Sequence, residues 1–198
     1  MLVRARPLVT FALSAVLGLS LAACQVEAAP ATRAAQGTSA TPATGGTLPP
    51  AGAAASFTVY LPRLFEDDSL GLRGVARSLA WSATPARDAI DQLIRGPNGD
   101  ERAADFHYAL DRRTRLRSAT ITDGTAIVDF ETGLEHVHGR PFSELVYWSI
   151  LYTATEVPGV ERLALQEGGG RLSELGFPAF SVPAAAGRSD APAWARPR

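Results

Sequence analysis

The stretch "TRLRSATITDGTAIVDF", Thr114 to Phe130, decides the fold. Two runs rich in Thr, Ile and Val flank Asp123-Gly124, a dipeptide that tolerates the positive φ angles of a tight hairpin turn. In the second run Ala126, Val128 and Phe130 recur with period two, so they share one face of a strand. An isolated hairpin with one apolar face is marginal in water. Its cover has to come from the flanking sequence.

Upstream, "TPARDAIDQLIRGP" offers Thr84 as N-cap and Pro85 as the first helical residue. Ala86, Ala89, Ile90, Leu93 and Ile94 follow at i, i+3, i+4, i+7 and i+8, the spacing of a one-sided helix. Gly96 is the expected left-handed C-cap, and Pro97 forbids continuation. Asn98-Gly99 then starts the turn toward the hairpin, so "LIRGPNGDERA" reads as a stop signal and not as a phosphate cradle. Earlier still, "FTVYLP" places Phe57, Val59 and Leu61 on one side of a strand that Pro62 closes, and "LRGVARSLAW" suits a second strand or hairpin arm. Downstream, Pro141 opens a helix that ends before Pro158-Gly159, and "VERLALQEG" supplies a last strand with Leu163 and Leu165 inward. The order strand, helix, two strands, helix, strand predicts a small single α+β domain, its two helices packed on one face of a mainly antiparallel sheet.

The same segments resemble the GerMN domain, named from the spore-germination protein GerM. Leu93-Ile94-Arg95-Gly96-Pro97, Asp123-Gly124 followed by Val128-Asp129-Phe130, and Thr153-Ala154-Thr155-Glu156 before Pro158-Gly159-Val160 carry the resemblance by their order and spacing. It covers roughly Phe57 to Phe177. The family commonly occurs in bacterial lipoproteins, alone or in tandem, and is similar in fold to the ring-building domains of secretion systems. The resemblance therefore implies a non-catalytic part in envelope and sporulation-related assemblies. This chain has one copy of the domain, which sets it apart from tandem members and puts ring formation in doubt.

The flanks set the location. "MLVRARPLVTFALSAVLGLSLAAC" has two arginines, an apolar run from Pro7 to Ala23 and small residues before the only cysteine, the layout of a secretion signal. The apolar run is short for a bilayer span. Leu21-Ala22-Ala23-Cys24 resembles the lipobox of bacterial lipoproteins, which implies lipidation of Cys24 and an extracytoplasmic chain anchored to the cell membrane, or to the outer membrane of a diderm. Residues 1–23 are then a lipoprotein signal peptide, 24–56 the lipidated cysteine and a Pro/Gly-punctuated flexible linker, 57–178 the domain, and 179–198 a disordered tail with Trp194 a stray aromatic.

All 19 basic residues are Arg and the formal net charge is −1, which gives no general attraction to polyanions; nucleic acid is not an expected partner. No Gly-x-Ser-x-Gly elbow, Walker loop or Gly-x-Gly-x-x-Gly fingerprint occurs, and no cofactor is expected. His136 and His138 lie two apart beside Glu131 and Glu135, a spacing that can chelate a metal on an extended segment, but a third strong ligand is not evident. The arginines of "DRRTRLR" follow Asp100, Glu101, Asp105 and Asp111 and read as a salt-bridged strand edge. His107 stands alone.

The helix core "LVYWSILY", Leu145 to Tyr152, is apolar nearly all round, more than a helix on one sheet needs. Either the preceding loop and the C-terminal segment cover it, or Tyr147, Trp148 and Tyr152 form a surface for a protein partner. The leading expectation is a lipid-anchored binding or assembly module of the cell envelope, with an unidentified envelope protein as partner and a homo-oligomer compatible with the sequence. Two alternatives stand beside it: an envelope hydrolase or metal-dependent enzyme using His136 and His138, and a module that binds cell-wall glycan or a small ligand.

Overall fold

The computed structural model describes residues 52, 54–80, 82–134, 140–176 and 179–198. The proposed signal peptide, Cys24 and most of the linker lie outside the described residues, as do Glu135, His136 and His138.

The first element is a long antiparallel hairpin, β1 (Ala54–Leu64) with β2 (Leu70–Ala80), paired without a register shift. Phe57, Val59 and Leu61 alternate along β1 and are buried, as their spacing predicts. Pro62 does not close the strand. Its main-chain groups point away from β2, where Pro62 accepts a 2.8 Å hydrogen bond from the His107 N–H, so the missing donor interrupts no rung of the hairpin.

Helix α1 (Pro85–Arg95) follows, and Ala86, Ala89, Ile90 and Leu93 are buried along its stripe, with Ile94 packed at its margin. Thr84 holds the N-cap position, but its hydroxyl lies against Ser82 and makes no cap bond. Gly96 is the C-cap at φ 68°, ψ −157°, with positive φ as expected but an extended ψ. A Cβ there would lie 2.3 Å from the Tyr108 ring, so both backbone and packing demand glycine. The connection that follows is more ordered than the turn expected of it. The Asn98 side chain accepts from the Glu101 N–H at 2.9 Å and the Glu101 carboxylate accepts from the Asn98 N–H at 2.8 Å, a capping box that starts the one-turn helix α2 (Gly99–Ala103).

The deciding stretch forms β3 (Arg115–Thr122) and β4 (Thr125–Thr132), joined by Asp123 and Gly124 at φ 47° and 71°. Ala126, Val128 and Phe130 are fully buried. Helix α3 (Arg140–Ala154) then crosses to β5 (Arg162–Glu167), which pairs parallel to β4. Short strands β6 (Gly170–Arg171) and β9 (Ala186–Gly187) share the far edge of β5, completing a five-stranded mixed sheet. A small hairpin of β7 (Glu174–Leu175) and β8 (Phe180–Ser181) stands apart from it.

The α+β class holds, with one parallel pair in the sheet and with the β1–β2 hairpin as a separate layer. Helix α3 packs against that hairpin, α1, β5 and the β7–β8 pair, and for this reason it is apolar all round. The C-terminal segment, expected to be disordered, is instead packed. Val182, Ala186, Ala191 and Ala195 are buried, two 3-10 turns (Arg188–Asp190 and Ala193–Ala195) shape it, and the Arg198 N–H donates to Leu72 at 3.0 Å. Its Ala- and Pro-rich composition suits a strap that fills shallow gaps with small side chains; composition alone reads as disorder because such residues give no strong period. The folded unit thus runs past 178 to the last residue.

Candidate functional site

The aromatic turn of α3 carries the expectation of a docking surface, so its surroundings matter most. Leu145 to Ala154 are all buried. Tyr147 is 0 % exposed and Trp148 and Tyr152 are each 5 % exposed, so none of the three rings forms an open partner surface. The correction has a simple cause: the β1–β2 hairpin covers one flank of α3, and the C-terminal segment covers another. Tyr147 packs on Phe180 at 5.4 Å between ring centroids and edge-on to Trp148 at 4.9 Å. Burial pushes the Tyr147 phenol above its ordinary pKa, reinforced by Asp190 and opposed by Arg162. Among the described residues, Tyr147 Oη and Trp148 Nε1 are buried without a hydrogen-bond partner.

Tyr152 belongs to a polar cluster that binds strap, helix and hairpin together. Its ring lies 5.3 Å from that of Tyr60 on β1, and the Arg188 guanidinium sits over both, 5.7 Å from the Tyr60 centroid and 5.4 Å from the Tyr152 centroid. Arg188 donates to the Tyr152 carbonyl at 3.0 Å, to Thr155 Oγ1 at 2.7 Å and to the Glu156 carboxylate, which also accepts from the Tyr60 hydroxyl at 3.0 Å. Burial, followed by the neighbouring Glu156 carboxylate, raises the Tyr60 pKa above its ordinary range. Sequence reasoning missed this cluster because Arg188 lies in the segment assigned to the tail, and Tyr60 alternates out of the apolar face of its strand.

Helix α3 also finishes the exposed edge of β1. The Ser149 hydroxyl donates to the Tyr60 carbonyl, and the Tyr60 N–H donates to Thr153 Oγ1 at 3.0 Å. The C-terminal end of that edge is met by the chain after α2, where the Leu64 N–H donates to the Asp105 carbonyl at 3.1 Å. Two buried helix hydroxyls thus stand in for a neighbouring strand.

Other candidate features are more open. A hollow of about 400 Å³ is lined by Glu161, Arg162, Gly187, Arg188, Ser189 and Asp190, where Asp190 accepts from the Gly187 N–H at 2.8 Å and Arg162 donates to Ala185 at 3.1 Å. The side chains that could face a ligand there are therefore largely held by the protein. Arg112 and Arg113 line a second open hollow with Tyr108, Leu110 and Asp111. Of the acidic residues expected to offset the arginine run, Glu101 pairs instead with Arg77 at 2.6 Å, while Arg117 meets Asp129 at 3.7 Å. Asp129 also accepts from the Gly169 N–H at 3.1 Å, which explains its burial beside the β5–β6 turn. No three metal-ligating side chains gather among the described residues, and no described helix is long and apolar enough to cross a membrane.

Comparison with known proteins follows this geometry. The family model described as "Sporulation and spore germination" matches residues 58–173. No match was found among curated protein sequences. Among solved structures, the first GerMN domain of the sporulation protein GerM from Bacillus subtilis superposes with a TM-score of 0.52 at 20 % identity, covering 67 % of this chain and 98 % of that one. The tandem GerMN domains of the same protein give 0.50 at 20 % identity over 76 % of this chain, which spans 50 % of the tandem chain. A Clostridium perfringens protein provisionally named a lipoprotein gives 0.50 at 17 % identity, covering 69 % of this chain and 89 % of that chain. At these identities the likeness is one of fold.

Proposed function

The chain belongs to the sporulation and spore germination family, and from that membership we propose that it is a lipid-anchored, extracytoplasmic lipoprotein whose domain works by binding and assembly in the cell envelope and not by catalysis. One observation carries the reading: the order of segments. A leader ending Leu21-Ala22-Ala23-Cys24 comes first, a Pro/Gly-punctuated tether second, and the family domain third. A fold-level relative provisionally named a lipoprotein supports the same arrangement. Two acyl chains on Cys24 would give a stable anchor at about 0.8 kcal/mol per buried methylene. A tether of about thirty coil residues would hold the domain roughly 30 Å from the bilayer.

A membrane-impermeant protein crosslinker applied to intact cells tests the binding role. Discrete crosslinked species containing this chain are the expected result, and a chain that the reagent cannot reach contradicts an extracytoplasmic role. Metal analysis of the purified chain separates assembly from a metal-dependent reaction. Stoichiometric metal that disappears in His136→Ala would overturn the non-catalytic reading.

A further inference from the structure

We propose that the outer edge of β2 is a self-association surface, on which a second copy of this chain adds its own β2 in antiparallel register about a two-fold axis at Ala76. The inference rests on the assembly reading above and deepens it by naming one partner, the chain itself.

The hairpin fixes which backbone groups point outward. Tyr60 turns its N–H and carbonyl away from β2 into α3, so the even-numbered residues of β1 face outward, and their partners on β2 do the same on the opposite side. Leu72 fits this pattern, since its carbonyl takes the Arg198 N–H. The other long edges have nearer cover: β1 is met over residues 60–64 by Ser149, Thr153 and the chain at residues 105–107, and β3 is flanked by α1, whose Arg87 guanidinium donates to the Arg117 and Leu116 carbonyls at 3.2 and 3.4 Å. On β2 the outward positions Gly74, Ala76 and Ser78 are open. All three are exposed, and none has a main-chain partner outside the hairpin among the described residues. The one polar contact is a 3.3 Å hydrogen bond from Arg77 to the Ala76 carbonyl, whose second lone pair stays available. The strand has no proline and no bulge, two of the devices that usually blunt an edge.

Strand composition selects the occupant, and charge the register. The Pro/Gly-punctuated segment before Ala54 offers no uninterrupted run to pair here, whereas a second β2 supplies matching length and equally small side chains. A two-fold axis at Val75 would set Arg73 directly opposite the second copy's Arg77, and an axis at Arg77 would set the two Arg77 residues face to face; like charges directly opposite are destabilising. Moving the axis to Ser78 leaves Gly74 unpaired and draws on Ala80, the last residue of the strand. The axis at Ala76 avoids all of these. It pairs Gly74 with Ser78 and Ala76 with itself, forming about six N–H···O bonds. It also places Val75 opposite Arg77, whose charge Glu101 already meets at 2.6 Å, and Arg73 opposite Leu79. Tethering copies to one membrane would raise their effective concentration and favour such an interface.

The full chain carrying Cys24→Ala, so that any introduced thiol is unique, provides the test. Under mild oxidation Ala76→Cys should form a covalent dimer, because paired Cα atoms lie about 5.5 Å apart. Ser78→Cys should not, because in this register the two Ser78 residues sit roughly 13 Å apart. Ala76→Pro removes the outward donor without touching the β1 bonds; it should sediment as a monomer with an unchanged far-ultraviolet circular dichroism spectrum, while the parent sediments as a dimer. Equal crosslinking at 76 and 78, no crosslink at either, or capture of a different polypeptide at 76 would overturn the proposal. If the wild-type chain is membrane-bound while the Cys24→Ala protein stays monomeric, the self-association alone fails; if the Cys24→Ala protein dimerises while the wild type never reaches the membrane, the anchoring alone fails.

Discussion

At Gly96 three demands coincide: a helix end, a positive φ and a ring 2.3 Å from where a Cβ would stand. Gly96→Ala should lower stability by about 1–3 kcal/mol, read as a drop in denaturation midpoint at constant slope. The first demand was legible from the Gly-Pro step, but the third was not, because nothing local says that Tyr108 returns to the helix end. Arg77 and Glu101 make a comparable point about charge. Hydrogen bonds from Arg77 to Glu101, aided by the Asn98 N–H, hold the carboxyl below its ordinary 4.5 despite partial burial. A carboxyl with a lowered folded value contributes stability above its unfolded value, and that contribution disappears as pH falls through the folded one. Acid titration of wild type against Glu101→Gln should therefore show a stability difference at neutral pH that begins to shrink as pH falls through the ordinary carboxylate range and is gone only below the lowered folded value. A difference that persists unchanged at low pH would contradict a contribution from the ionised Glu101–Arg77 pair.

At the scale of elements, α3 explains most of what the sequence left ambiguous. Its all-round apolarity was legible, and the two ways of covering it were both in view; the choice between them depends on contacts with β1 and with the segment after residue 178, far away in sequence. Period two and period 3.6 report which face of an element is apolar, not which distant segment will lie on it. The hydroxyls show the same limit. Ser149 and Thr153 interrupt an apolar helix for no local reason, and only their bonds to Tyr60 account for them. Thr153→Val keeps shape but leaves the Tyr60 N–H unpaired, and should cost about 1–3 kcal/mol in chemical denaturation. A neutral outcome would show that water satisfies that edge.

For the whole molecule, the C-terminal strap is where expectation and structure part most clearly. Small side chains make it look unfoldable alone, yet Arg188 fixes it over Tyr60 and Tyr152, and Phe180 covers Tyr147. Deleting residues 179–198 should cost about 3–5 kcal/mol and raise binding of an apolar dye, since the α3 rings would meet water. By contrast, the two-helix α+β plan and the family resemblance were legible because hairpin, caps and apolar stripes are local signals. The anchor depends on chemistry at Cys24, outside the described residues, and it is the premise for everything said about place and partners. Feeding labelled palmitate to cells that produce the chain measures it directly. The account predicts label on the wild type and none on Cys24→Ala; equal labelling of both, or no label on either, would contradict it.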